Sequence, residues 1–179
     1  QDMPKKCGHE PGRRMVPAEE MIAKIEAACA ARSSPDFLIV ARTDARTTLG
    51  LGEAIARGRR FAEAGADVIF VESPESAEEM RAICAQIPAP TLANMVEGGR
   101  TPILPQAELA EIGYKIAIYP NALTRIMARA GQRLLAELKS TGTTAGLADE
   151  MLTHGELWDL FGRGEWAALE ERFVTRRSP

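Results

Sequence analysis

A basic excess is missing from this sequence. Its 179 residues hold 22 lysines and arginines against 25 acidic residues, a formal charge of −3 at pH 7. Such a balance leaves no electrostatic footprint for nucleic acid. Long apolar runs are missing too, none approaching the roughly 18 residues that a membrane-spanning helix needs, and no signal-like segment opens the chain. Cysteine is scarce. Cys7, Cys29 and Cys84 are odd in number and widely spaced, so neither a disulfide framework nor a Cys-x-x-Cys zinc site is indicated. A reduced, cytoplasmic protein is the expectation. A starting methionine is absent as well: the chain begins at Gln1, and it is expected either to have lost residues ahead of Gln1 or to be part of a longer protein. What remains is an ordinary globular composition, 45% hydrophobic and 26% charged, of a length that suits one domain with a sizeable core.

Reactive chemistry is concentrated near the start, in Pro4-Lys5-Lys6-Cys7-Gly8-His9. Lysines beside a proton-transfer site attract anions and tune a neighbouring thiol. Gly8 allows close approach of backbone to a ligand, and His9 can donate or accept a hydrogen bond near neutral pH. The set suits an anionic substrate that gains or loses a proton. Glu10 to Arg14 is polar, contains Pro11 and Gly12, and reads as a mobile loop.

From Pro17 the chain settles into alternation. Pro17-Ala18-Glu19-Glu20 opens a helix, with proline in the first turn and carboxylates at the positive end of the dipole. Met21, Ile22, Ile25, Ala28 and Cys29 give that helix an apolar face, which makes Cys29 a small core residue. Apolar runs at 37–41, 67–71, 90–93 and 115–119 read as strands covered on both faces. Helices are expected at about 52–64, 76–86, 105–112 and 122–139, with Gly65, Gly113 and Gly142 where helices stop. Strict alternation of strand and helix implies an α/β fold with parallel strands and right-handed crossovers. The strands run into Arg42-Thr43-Asp44, Glu72-Ser73, Asn94 and Tyr119-Pro120-Asn121. In parallel α/β folds the carboxyl ends of strands carry the site, so one polar rim is expected. Singly, Arg42 with Asp44 or Glu72 also reads as a structural salt bridge. After a linker at Thr141–Thr144 comes an apolar helical tail holding both tryptophans, Trp158 and Trp166. Such a tail must bury against its own domain or a neighbouring subunit.

These stretches resemble the isocitrate lyase and phosphoenolpyruvate mutase superfamily, lyase branch. The likeness rests on Lys5-Lys6-Cys7-Gly8-His9, Ala41-Arg42-Thr43-Asp44-Ala45, Val71-Glu72-Ser73-Pro74, and the run from Ala93 to Pro102, with Tyr119-Pro120 and Arg125. The resemblance implies the C-terminal half of a (β/α)8 barrel over residues 1–140, with a catalytic gating loop at 4–14. Residues 141–179 would be a helical tail exchanged between subunits of a homotetramer, a dimer of dimers. It implies Mg2+ or Mn2+, with its main ligands ahead of Gln1 and Glu72 reaching the ion through water, and it implies that this chain alone is inactive. Ile39, Ile69, Leu92 and Ile118 would face the barrel interior.

The implied reaction is retro-Claisen cleavage of a 2-hydroxy di- or tricarboxylate to a 2-oxo acid and a dicarboxylate. By resemblance Cys7 is the general acid, Lys5 tunes it, and Arg42 stabilises oxyanion charge on the 2-oxo acid half. Gly8, His9, Asn94 and Arg125 would cradle the departing carboxylate. Methylisocitrate lyases carry an arginine in a Thr-Arg-x-Glu-Leu stretch, where this chain reads Thr153-His154-Gly155-Glu156-Leu157. The stretch Glu97–Pro102 is closer to that of dimethylmalate-type and plant petal-death-type lyases, which points to a shorter 2-hydroxydicarboxylate. Two other readings are a phosphonate carbon–phosphorus mutase or hydrolase of the same superfamily, against which Cys7 argues, and a non-catalytic half barrel.

Overall fold

The computed structural model describes residues 1–8, 10 and 12–174. The chain divides into two compact units, Gln1–Leu123 and Thr124–Pro179.

The first unit is α/β. It runs α1 (Ala18–Ala31), β1 (Val40–Thr43), α2 (Arg46–Leu49), α3 (Leu51–Glu63), β2 (Val68–Val71), α4 (Ala77–Gln86), β3 (Leu92–Asn94), α5 (Gln106–Ile112) and β4 (Ile116–Ile118). β1 and β2 pair in parallel, with Arg42 opposite Phe70. β3 and β4 also pair in parallel, with Asn94 opposite Ile118. A single parallel bridge, Ile69 to Thr91, joins the two pairs, so the spatial order follows the chain. Local chemistry sets the helix ends. Ser76 caps α4 by accepting from the Glu79 N–H at 3.2 Å, and Gly113 closes α5 in the left-handed region, at φ 118°, open to glycine without strain.

The first strand starts later than the apolar run suggests. Phe37 and Leu38 lie outside β1 and are 66% and 54% exposed. The Phe37 N–H is spent on a turn to the Ser34 carbonyl, and the Ile39 N–H donates to the Asp67 carboxylate. Pairing with β2 therefore begins only at Val40.

Strand alternation decides which residues meet the helices. Ile69 and Val71 pack with Ile25, Phe61 and Ile83 from α1, α3 and α4. Val68, Phe70 and Leu92 form a second cluster on the opposite, helix-free face, joined by Ile116 and Ile118. The expectation that Ile39 and Ile69 face a barrel interior is thus corrected: both pack in the cluster against the helices. Ile69 is fully buried, and Ile69→Ala is expected to lower folding stability by roughly 2–5 kcal/mol, the usual cost of a buried cavity. Thermal or denaturant unfolding checks it.

In the second unit α6 (Ala122–Thr141) is followed by a 3-10 turn (Ala145–Glu150), α7 (His154–Leu160) and α8 (Arg163–Val174). The expected boundary was at 140; the compact units part at Leu123 instead. α6 groups with the tail because Ile126, Ala130 and Leu134 share an apolar hollow with Leu147 and Met151, and Arg133 pairs with Glu150 at 2.6 Å. A capping box formed by Thr153 and Glu156 starts α7, and His154 lies edge-on to Trp158. Trp158, Phe161 and Trp166 remain exposed in the chain by itself. Among the described residues no helix is long and apolar enough to cross a membrane.

Candidate active site

The same alternation that puts Phe70 and Leu92 on the helix-free face carries that face past the strand ends. Two residues beyond Phe70 comes Glu72, and two beyond Leu92 comes Asn94. Arg42 sits opposite Phe70 and stacks its guanidinium over that ring, 4.8 Å from the centroid. Period two thus delivers these groups to one rim.

There they bond to one another. Arg42 Nε donates to Asp44 Oδ2 at 3.0 Å and Nη2 to Asp44 Oδ1 at 2.9 Å, and Nη2 stands 3.2 Å from Glu72 Oε2. Asn94 Nδ2 donates to that same Glu72 oxygen at 3.2 Å. The other Glu72 oxygen accepts from the Ser73 hydroxyl at 3.1 Å. Ser73 holds a positive φ of 62°, which is strained for a residue with a Cβ and is the kind of cost found at working sites. Asn94 Oδ1 is buried without a partner among the described residues, leaving an acceptor for a donor from outside them.

The loop from the sequence motif lies against this rim. A Cβ on Gly8 would come 3.1 Å from Arg42 Nη2 and 3.2 Å from Glu72 Oε1. A side chain there would crowd the ion pair, which would have to give by a few tenths of an ångström. Lys5, Cys7 and Gly8 line an open cleft of about 560 Å³ with Lys24, Arg42 and Asp44. Its cations favour an anionic occupant, and Cys7 is exposed. The loop is tied at its base, where the Asp2 N–H donates to the Arg14 carbonyl at 2.8 Å and the two side chains pair at 3.0 Å.

Among the expected residues, Lys5, Cys7, Gly8, Arg42, Glu72 and Asn94 come together. His9 lies outside the described residues, and Arg125 belongs to the second unit, near the start of α6. The salt bridge of Arg42 with Asp44 and Glu72, read from the sequence as an alternative, is present; two participants were not singled out: Ser73 beneath Glu72, and Arg13. The mobile-loop expectation for residues 10–14 fails at Arg13, which is buried and donates to Asp44 Oδ1 at 2.8 Å and to Thr47 Oγ1 at 2.7 Å.

Burial alone would push the Asp44 carboxyl up, but the bonds from Arg42 and then Arg13 outweigh it and hold it below its ordinary value. A carboxyl depressed in the folded state adds stability that is complete above the unfolded value, about 3.9, and is lost as pH falls through the folded one. Asp44→Asn is therefore expected to flatten the acid limb of the stability–pH curve. Unchanged acid sensitivity in denaturant titrations would remove Asp44 from that linkage.

The described residues do not make a metal site by themselves. No group of three His, Cys, Asp or Glu side chains is gathered among them. Both Asp44 oxygens accept from guanidinium groups, and both Glu72 oxygens accept from neighbours.

Residues 2–139 match the family model for phosphoenolpyruvate phosphomutase. The chain is 53% identical over 177 residues to a 2,3-dimethylmalate lyase of Eubacterium barkeri, covering 99% of this chain and 61% of that protein. It is 44% identical over 178 residues to a 2-methylisocitrate lyase of Aeropyrum pernix, covering 99% of this chain and 57% of that one. Among solved structures, a phosphonopyruvate hydrolase complexed with oxalate and Mg2+ superposes with a TM-score of 0.79 at 30% identity, covering 97% of this chain and 60% of that chain. The chain thus spans about three fifths of the length of the relatives it matches.

Proposed function

Since the chain belongs to the phosphoenolpyruvate phosphomutase family, within the superfamily that also holds the isocitrate lyases, we propose that it is the C-terminal portion of a carbon–carbon lyase built on a (β/α)8 barrel. The substrate is a 2-hydroxydicarboxylate of the 2,3-dimethylmalate type. One observation carries this reading: Cys7, an exposed thiol, shares a cationic cleft with Arg42 and Lys5. That supports reading Cys7 as a proton donor and Arg42 as a group that stabilises oxyanions.

The chemistry balances as follows. The C2 hydroxyl of the substrate gives its proton to solvent, from which the Cys7 thiolate later regains one; the C2–C3 bond breaks, and C2 becomes the carbonyl of a 2-oxo acid. The bonding pair moves to C3, giving an enolate-like anion that takes a proton there from the Cys7 thiol. Arg42 stabilises the oxygen on C2 as its charge develops. Lys5 attracts the carboxylates, while Gly8 and Asn94 hold the departing carboxylate half; for His9 and Arg125 the same task is what the family resemblance implies. Counting carboxylates corrects one expectation. A dicarboxylate yields a 2-oxo acid and a monocarboxylate, so 2,3-dimethylmalate gives pyruvate and propionate. A dicarboxylate product requires a tricarboxylate substrate. Since the described residues form no metal site, Mg2+ in the working enzyme would rest on residues outside them, and no step here depends on it.

The loop at 4–14 would close over the bound substrate and exclude water. The exposed Trp158, Phe161 and Trp166 are the surface that subunit exchange in a dimer of dimers would cover. The dicarboxylate preference rests on His154 in place of an arginine and on the stretch Glu97–Pro102. Steady-state kinetics on the full-length protein tests it: kcat/KM for 2,3-dimethylmalate is expected to exceed that for 2-methylisocitrate by about tenfold or more. The reverse order would assign the tricarboxylate.

A further inference from the structure

We propose that Arg13 is a positioning residue for the anionic substrate: it neutralises Asp44, so that the Arg42 guanidinium keeps charge to offer the cleft. The inference rests on the reading that this cleft takes a carboxylate anion. Arg13 itself is not among the cleft-lining residues. Its side chain is 2% exposed and that of Asp44 is 4% exposed, whereas that of Arg42 is 39% exposed. Asp44 Oδ1 accepts from both guanidinium groups, at 2.8 Å from Arg13 Nη1 and 2.9 Å from Arg42 Nη2. Arg42 also meets Glu72 at 3.2 Å. One guanidinium between two buried carboxylates is outnumbered, so without Arg13 the Arg42 end of the cleft would carry net negative charge, and only the lysines would attract an approaching carboxylate. Arg13 supplies the second cation from the buried side and restores the balance.

Geometry alone does not need an arginine there, because a neutral donor could satisfy one oxygen of Asp44. A buried guanidinium carries a large desolvation cost and persists where its charge is compensated and used. Arg13 is also fixed to Thr47 at 2.7 Å and is next in sequence to Arg14, whose backbone and side chain close the loop onto Asp2. The same residue thus anchors the foot of the Lys5–Gly8 loop and the charge of the rim.

The test uses the full-length protein with Mg2+ and oxalate as the probe anion, read by titration calorimetry. Three variants are compared: Arg13→Met, Arg13→Lys and the double variant Arg13→Met/Asp44→Asn, with thermal melts to establish that each is folded. Arg13→Met is expected to weaken oxalate binding, and to raise KM for 2,3-dimethylmalate, by about tenfold or more. Arg13→Lys should recover part of that loss. The double variant, which removes the offending anion together with its neutraliser, should bind oxalate within about threefold of wild type. A merely structural role predicts otherwise: KM unchanged, turnover scaled to the folded fraction, and a double variant no better than Arg13→Met. That pattern overturns the inference, as does wild-type oxalate affinity in Arg13→Met or a wild-type protein that binds no oxalate. If Arg13→Met does not fold, the Lys and double variants decide the question by the same affinities. Wild-type protein that binds oxalate but releases no 2-oxo acid sinks the lyase reading instead, and the oxalate affinities still judge Arg13.

Discussion

Replacing Cys7 by serine in the full-length protein is expected to cut turnover about 100-fold or more while leaving KM within a few fold, the pattern of a lost general acid. The argument starts from acidity. A serine hydroxyl is a far weaker acid than a thiol and gives up its proton poorly to a carbon anion. It is also smaller and equally able to sit in the cleft beside Lys5 and Gly8, so substrate binding should survive. The change touches no packed core, because Cys7 is exposed. Melting temperature should therefore not move, and a fall in turnover cannot be charged to unfolding. Turnover within about threefold of wild type would remove Cys7 from the mechanism.

Arg42→Gln is expected to lower kcat/KM by about 10²- to 10³-fold, the scale of losing one oxyanion-stabilising donor. Three neighbours fix this guanidinium: Asp44 by two bonds, Glu72 by an approach at 3.2 Å, and Phe70 by the face of its ring. Its partly exposed edge faces the cleft. Glutamine keeps a donor but loses the charge, and it cannot span both carboxylates. Among the described residues Glu72 would then keep Ser73 and Asn94 as partners, so a modest loss of stability should accompany the kinetic one. Lysine at this position would keep the charge without the planar fork and should recover only part of the activity. If Arg42→Gln retained more than a tenth of wild-type kcat/KM, the rim would be a structural salt bridge and not a site.

Much of this was legible in the sequence because it follows from period and position. The apolar runs gave parallel strands, the glycines at 65 and 113 marked helix ends, and the strand ends carried Arg42, Glu72 and Asn94 to one rim. The failures have physical causes. The run at 37–41 is apolar throughout, and apolarity alone does not say where backbone pairing starts; the turn at Ser34 and the carboxylate of Asp67 decided that. A run without alternation likewise hides which of two faces a residue takes, and so Ile69 was placed on the wrong one. Arg13 was hidden for another reason. Its surroundings are polar, with Gly12 before it and Arg14 after it, and only the distant Asp44 makes it a buried residue. A long-range charge pair leaves no local pattern, although an arginine in a segment that leads back to an acidic strand end was a hint. The tail's exposed aromatic residues were readable as a surface needing cover, but a single chain does not identify what covers them.

The most direct measurement is product analysis on the full-length protein supplied with 2,3-dimethylmalate and Mg2+. Pyruvate and propionate should appear in equal amounts, at a rate that Cys7→Ser cuts about 100-fold or more. No pyruvate from 2,3-dimethylmalate, together with phosphate released from phosphonopyruvate, would contradict the carbon–carbon lyase and assign the rim to carbon–phosphorus chemistry.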